Sequence, residues 1–184
     1  MAQLISITKI MKHLITSILL IICSTLSAQS LSSLKAVLLK QLKTTHNMAE
    51  WFVPVNTAVD GLTAEQAGWT DKSGNHGVGQ LVNHLIFWNE RELNKFQNQK
   101  NADFSGNNNE TFDSFDQKKW VEAVKKLDAV LTAWEKAIEG ADEAKLKDWY
   151  ATIANISTHN AYHTGQIIYV RKLQGSWNPD KGVK

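Results

Sequence analysis

Three histidines are the residues of this chain whose types and spacing could do chemistry: His84, His159 and His163. His159 and His163 lie four residues apart, so in a helix both imidazoles share one face, about 5–6 Å apart at Cβ. Hydrophobic periodicity places all three on the apolar stripes of predicted helices. Three converging imidazoles suit a divalent metal with vacant coordination positions, the arrangement found in catalytic metal sites.

The simpler interpretation is that these are ordinary core histidines bonded to backbone carbonyls. A pair one turn apart makes it less economical, because each unpaired buried polar group costs about 1–3 kcal/mol. Ligation through one nitrogen, with the other N–H on a protein acceptor, satisfies both ring nitrogens. The His-x-x-x-His spacing is weak evidence alone, because Asn160 stands where metalloproteases carry glutamate. The third inward histidine strengthens it, and the packed-core interpretation stays open.

Other ionisable residues could complete or support the site. His46 lies near the stripe of the first predicted helix and could approach the cluster or form local hydrogen bonds. His76 precedes the second helix and is predicted to be a capping or surface residue. Glu90 and Glu92 are near His84 in number, and only Glu92 lies close to the inward stripe. No general base is evident.

Two further polar residues follow the histidine pair. Gln166, one turn after His163, could orient a ligand or bind substrate. Helix packing around the small Gly165 explains its position equally well. Arg171 is predicted to pair with an acid at the end of the helical domain.

The three imidazole nitrogens suggest which metals could bind and which reactions the bound metal could promote. Neutral nitrogen ligands suit zinc or nickel, and iron is possible. A bound water would have its pKa lowered toward 7 and could attack an ester or amide of a small-molecule substrate. A bound substrate thiol would instead be held as thiolate for transfer chemistry. The alternative is a non-catalytic helical protein that binds metal or a small molecule; a structural site normally has a fourth protein ligand, which His46 could supply.

Four amphipathic segments must position these residues, and no strand pattern stands out. Together they predict an all-α four-helix bundle over residues 31–175, followed by a tail at 176–184. Pro54 should kink or interrupt the first helix. The predicted helices span 31 to about 59, 77 to 98, 120 to 140 and 150 to 173.

Residues 1–28 are predicted to be a cleavable signal peptide. A basic start at Met11–His13 precedes an apolar run of about ten residues and a small-residue region ending near Ala28. Met11 could be the true start. The apolar run is too short for a transmembrane helix, which needs about 20 residues. We therefore expect an extracytoplasmic protein, periplasmic or secreted, with no stable membrane insertion after cleavage.

Cleavage changes the chemistry of the mature chain. Lipidation at Cys23 is the alternative, disfavoured by the bulky Ile22 before it. Losing Cys23 removes the only cysteine, and with it any disulfide or thiolate ligand. Losing Lys9 and Lys12 from the 20 basic residues leaves 18, equal to the 18 acidic ones. No basic patch is visible, so we expect no nucleic-acid partner.

Three segments resemble the DinB-like family: Gly79–Glu90, His159–Arg171 and Leu62–Gln66. The resemblance extends from about residue 34 to residue 175. Its most specific part is a histidine on the second helix together with His-x-x-x-His-x-Gly-Gln on the fourth.

The resemblance implies a four-helix bundle, often a homodimer, with a divalent metal held by His84, His159 and His163. Members of the family include thiol-dependent S-transferases, a thiol-dependent isomerase and proteins described as metal-dependent hydrolases. A secretion signal departs from the cytosolic location of the thiol enzymes, because low-molecular-weight thiols are chiefly cytosolic. The family therefore implies a metal site more specifically than it implies a reaction.

Overall fold

The structure, a computed structural model, describes residues 34–71, 73–112 and 115–183. The chain divides into two compact units, Met1–Val37 and Leu38–Lys184. Residues 34–37 are the described part of the first unit and are helical. The predicted signal peptide at 1–28 lies outside the described residues and stays a prediction.

The described residues form helices and irregular segments without a strand, which confirms the predicted all-α class. None of the described helices has the length and apolar character needed to cross a membrane. Three short 3-10 helices occur in this part of the chain: η1 (Asn108–Phe112), η2 (Gln117–Lys119) and η3 (Pro179–Lys181). The α-helices are α1 (34–46), α2 (Val55–Val59), α3 (Ala64–Gly68), α4 (Val78–Phe96), α5 (Trp120–Gly140) and α6 (Glu143–Leu173).

The first predicted helix is two helices separated by an irregular segment at 47–54. Proline lacks an N–H and its ring clashes with the preceding turn, so it is excluded from a helix interior. Pro54 instead occupies the N-cap of α2 with extended dihedrals (φ −72°, ψ 159°). Its carbonyl accepts the backbone N–H of Ala58 at 3.0 Å. The predicted interruption is therefore correct, and the predicted continuity from 31 to 59 is wrong.

The sixth helix begins seven residues before the predicted start at 150. Asp142 caps it by accepting the backbone N–H of Lys145 at 2.8 Å. The added turns bury Leu146 in the core. The periodic stripe of the histidine helix begins later, at Ile153, so the earlier turns have to be inferred from the cap.

α4 contacts both α5 and α6, so it lies at the centre of the helical packing. Trp134 of α5 is fully buried and donates its indole N–H to the carbonyl of Asn89 on α4 at 3.0 Å. Trp120 likewise donates to the carbonyl of Leu62 at 2.9 Å. The apolar stripe of α5 thus packs in the core, and its tryptophans also satisfy backbone acceptors.

A pair of buried asparagines joins α4 to α6. Asn89 donates to the side-chain oxygen of Asn160 at 2.7 Å, and Asn160 donates back at 3.3 Å. Asn89 also donates to the carbonyl of Leu85. Because buried amides must find partners, one longitudinal register of α4 against α6 is favoured over its neighbours.

Arg171 does not form the predicted ion pair. Its buried guanidinium donates to the backbone carbonyls of Ala58, Asp60 and Ser176. The carboxylate of Asp60 pairs with Lys181 instead, at 2.5 Å. Burial lowers the pKa of Arg171 from its ordinary value. The arginine therefore holds the end of α2 and the chain after α6 against α6 itself.

Replacing Asn160 by leucine should lower the free energy of unfolding by about 1–3 kcal/mol, because the Asn89 amide loses a buried partner. Urea denaturation measures this difference. The exposed Asn155 on the same helix is the matched control, and Asn155→Leu should change stability by less than about 0.5 kcal/mol. Equal effects of the two substitutions would contradict the proposed role of the pair.

Candidate metal centre

The three predicted histidines come together between α4 and α6. His84 is supplied by α4, and α6 supplies His159 and His163. One ligand-capable nitrogen from each ring lies within 4.8 Å of the others. The Nε2 atoms of His84 and His159 are 3.1 Å apart. Among the described residues, no other histidine, cysteine or acidic side chain belongs to such a group.

Burial keeps these imidazoles neutral. Burial, with the nearby rings of His163, His159 and His76, lowers the pKa of His84 from 6.5 to about 3. Burial and His163 lower the pKa of His159 to about 4. Burial also lowers the pKa of His163, while its hydrogen bond to Gln166 acts in the opposite direction. Neutral imidazole is the form that ligates a metal, so these lowered pKa values favour metal binding.

Thr111 fixes which nitrogen of His84 carries the proton. His84 Nδ1 lies 2.5 Å from Thr111 Oγ1. The threonine hydroxyl donates its own hydrogen to the carbonyl of Asn108 at 2.7 Å. It can only accept from the imidazole, so Nδ1 is protonated. Because the ring is neutral, the lone pair of His84 is on Nε2, the atom that faces His159.

Gln166 fixes which nitrogen of His163 carries the proton. The side-chain oxygen of Gln166 is 2.6 Å from His163 Nδ1, and an amide oxygen accepts only. The amide nitrogen donates to the hydroxyl of Tyr162 at 3.3 Å. Of the two predicted roles, ligand orientation is the one this geometry supports. The geometry does not support close helix packing around Gly165, because a Cβ at that residue would meet nothing within 4 Å.

This donor set fits a divalent cation. Two ligand nitrogens on a tetrahedral zinc ion, at about 2.0–2.1 Å from the metal, are about 3.3 Å apart. The Nε2 atoms of His84 and His159 have nearly this separation. The contact is a hydrogen bond, and because the lone pair of His84 is on Nε2, its donor is the Nε2–H of His159. A cation bound between the two nitrogens would replace this proton, which neutral His159 would then carry on Nδ1. Outer acceptors on Nδ1 are also what metal-bound histidines ordinarily have.

Phe112 covers one side of the centre as the middle member of a three-ring stack. Its ring lies 4.0 Å from that of His84, with an interplanar angle of 7°. On its other face, the Phe112 ring stacks on the ring of His76, with the ring centroids 3.8 Å apart and an interplanar angle of 2°. His76 is therefore not merely the capping or surface residue predicted from sequence. The chain between α4 and α5 folds back as η1 and brings Phe112 onto the ring of His76. Local sequence patterns do not reveal this contact.

A cavity of about 720 Å³ opens beside the three histidines. Glu92 lines it, whereas Glu90 pairs with Lys126 of α5 on another side of α4. The remaining lining is mostly neutral side chains that can stack or form hydrogen bonds. It includes His76, Trp88, Asn108, Asn109, Phe112, Thr152, Asn155, Ile156, Tyr162 and Gln166.

His46 lies outside the cluster, in a separate group of polar residues between α1 and α5. Its Nδ1 is 2.7 Å from a carboxylate oxygen of Glu135, and its Nε2 is 2.9 Å from Asp128. The hydrogen bond from His46 lowers the pKa of Asp128, and a bond from Asn56 adds to this. Both nitrogens of His46 are thus occupied, and it cannot supply a fourth ligand.

Replacing Thr111 by valine should weaken zinc affinity about 10- to 100-fold, because His84 loses the acceptor that fixes its tautomer. Competition with a chromogenic chelator measures the dissociation constant. Thr111→Ser keeps the hydroxyl and should stay close to the wild-type affinity. If serine and valine weaken the affinity equally, the hydroxyl is not the determinant.

Replacing His46 by glutamine should leave the amount of metal bound per chain unchanged while lowering the urea midpoint. The glutamine cannot satisfy both Asp128 and Glu135, so the α1–α5 contact weakens. Elemental analysis and urea denaturation of one preparation measure the two effects. Loss of metal from a variant that is still folded would show that His46 takes part in the site after all.

Comparison with known proteins identifies the family to which the chain belongs. A sequence model described as the DinB superfamily matches residues 55–167, which include all three histidines of the cluster. No curated protein matches the chain. No solved structure matches it either. Because the matched region covers more than half of the sequence, this chain belongs to the DinB superfamily.

Proposed function

We propose that His84, His159 and His163 hold one divalent ion through their Nε2 atoms, with zinc or nickel the best fit and iron possible. The observation that carries the proposal is the pair of outer hydrogen bonds. Thr111 and Gln166 place protons on Nδ1 of two histidines and leave their other nitrogens free to ligate. Membership of the superfamily supports a divalent metal as well.

The proposal extends to a metal-dependent hydrolase or transferase acting on a small molecule. A bound divalent ion would supply Lewis acidity toward the reacting group of that substrate. The cavity volume of about 720 Å³ is in the range of small-molecule sites, about 300–1,000 Å³. Its position next to the cluster is what an open catalytic centre requires.

Several side chains of the cavity have definite tasks under this proposal. Phe112 stacks on His84 and shields one face of that ring from water. Trp88 donates its indole N–H to Asn108 at 3.1 Å, which holds η1 against α4. Glu92 and His76 line the cavity outside the cluster, and both have side chains that can exchange protons. Either could accept or return a proton at a substrate positioned there.

The second candidate is a non-catalytic protein that binds metal for stability or binds a small molecule. The sequence left His46 as a possible fourth ligand that would close such a site. Because both ring nitrogens of His46 are bonded to Asp128 and Glu135, His46 is not available as this fourth ligand. The cavity beside the cluster then favours the catalytic candidate over a closed structural site.

Location and assembly complete the proposal. The sequence at 11–28 supports export and cleavage, with lipidation at Cys23 as the alternative. We further propose that α1, α4, α5 and α6 form the four-helix bundle expected of the family, and that the protein is a homodimer. An extracytoplasmic location favours hydrolysis over transfer from cytosolic thiols.

The protein purified without a histidine tag should contain about one divalent ion per chain, because three neutral imidazoles form a tight site. His159→Ala should lose most of it, since two imidazoles remain. Inductively coupled plasma mass spectrometry gives the content, and circular dichroism controls for folding. Full metal content in the folded His159→Ala protein would refute the site, and absence of metal after adding zinc or nickel would favour packed core histidines.

Activity should depend on the same ion. A panel of p-nitrophenyl esters tests hydrolysis, and thiol conjugation to 1-chloro-2,4-dinitrobenzene tests transfer. We expect turnover that a chelator abolishes and that added zinc or nickel restores. Turnover that persists in a metal-free preparation would contradict metal dependence. A metal-loaded protein inactive on both panels would favour the non-catalytic candidate.

A further inference from the structure

A second cavity adjoins the histidine cavity and shares two of its side chains. It has a volume of about 310 Å³. His76 and Gln166 line both cavities, so they stand where the two meet. The proposed function uses the larger cavity and leaves the smaller one without a role.

Five of the eleven described residues that line the second cavity are aromatic or aliphatic. Trp69 follows α3, while Tyr169 and Leu173 lie one turn apart on α6. Tyr169 is 62% exposed and Leu173 is 52% exposed, although both are large side chains with apolar surface. The buried Leu81 and Val170 form the floor. Such walls bind aromatic or aliphatic groups through apolar contact and ring stacking.

The charge of the second cavity also restricts its ligand. Asp71 is the only formally charged side chain among the described residues that line it. One oxygen of Asp71 accepts from the hydroxyl of Ser73 at 2.5 Å, and the other accepts from Asn75 at 3.2 Å. The carboxylate thus shapes the loop wall and places a negative charge at the cavity. Because like charges repel, this carboxylate disfavours an anionic group in the cavity.

Gln166 connects this second cavity to the metal centre. Its side-chain oxygen accepts from His163 Nδ1, as described above. A group that occupies the second cavity therefore lies against the residue that orients a ligand histidine. His76, stacked on Phe112, borders the same passage. A substrate could thus extend from the histidine cluster past these two side chains into the apolar cavity.

We propose that the second cavity is a specificity subsite for an uncharged aromatic or aliphatic end of the substrate. The reactive end of that substrate lies at the three histidines, and this part rests on the proposed function. Binding of the apolar end does not depend on the metal. The substrate class is accordingly an elongated small molecule with a reactive polar end and a neutral apolar end.

The test measures binding of 2-naphthol, a neutral aromatic probe, to the full chain freed of metal. Tyr169→Ala should weaken this binding about tenfold, because the probe loses one aromatic wall. Tyr150→Ala is the matched control: Tyr150 is on the same helix and 53% exposed but lines neither cavity. That variant should bind the probe like the wild type. Isothermal titration calorimetry measures all three proteins.

A second probe tests the charge restriction. 2-Naphthoate has the same rings with a carboxylate, and it should bind at least about fivefold more weakly than 2-naphthol. Equal effects of the two tyrosine substitutions, or a preference for 2-naphthoate, would overturn the subsite. These measurements use no metal and no turnover. A protein that binds 2-naphthol as expected but takes up no zinc would contradict the proposed function and leave the apolar site in place.

Discussion

The metal centre depends on the register of α4 against α6, and the buried Asn89–Asn160 pair specifies that register. Each amide is a hydrogen-bond partner of the other, so a shift by one turn would break both bonds between them in the core. Asn160 lies between the two histidines of α6, and Asn89 lies five residues after His84. Fixing the amides therefore sets His84 opposite the histidine pair. A purely apolar contact at this level would tolerate sliding more easily.

The second requirement is that the three imidazoles, of which those of His84 and His163 are buried, remain neutral and correctly protonated. Burial lowers the pKa of all three histidines, and the hydroxyl of Thr111 and the amide of Gln166 accept the Nδ1 protons of His84 and His163. Thr111 comes from η1, outside the two helices that supply the ligands. The long polar connection between α4 and α5 is thus part of the site: it supplies an acceptor for His84, and Phe112 covers the ring.

The sequence predicts features that depend on local periodicity or local caps. It places the three histidines on inward faces and identifies α5 almost to the residue. It does not predict which distant side chains meet. His76 contacts Phe112, and His46 meets two acids of α5, through tertiary packing that no local pattern contains. For the same reason Thr111 has no sequence signal, while Gln166, one turn from its histidine, is a candidate from sequence.

X-ray absorption spectroscopy of the zinc-loaded protein reports the atoms bound to the ion and so tests whether the three histidines are its ligands. We expect three imidazole nitrogens at about 2.0–2.1 Å from the zinc ion, with the remaining position or positions filled by oxygen. The outer-shell scattering of imidazole should decrease by one ring in His84→Ala. A spectrum with fewer than three imidazoles, or one that His84→Ala leaves unchanged, would contradict a zinc site built from His84, His159 and His163.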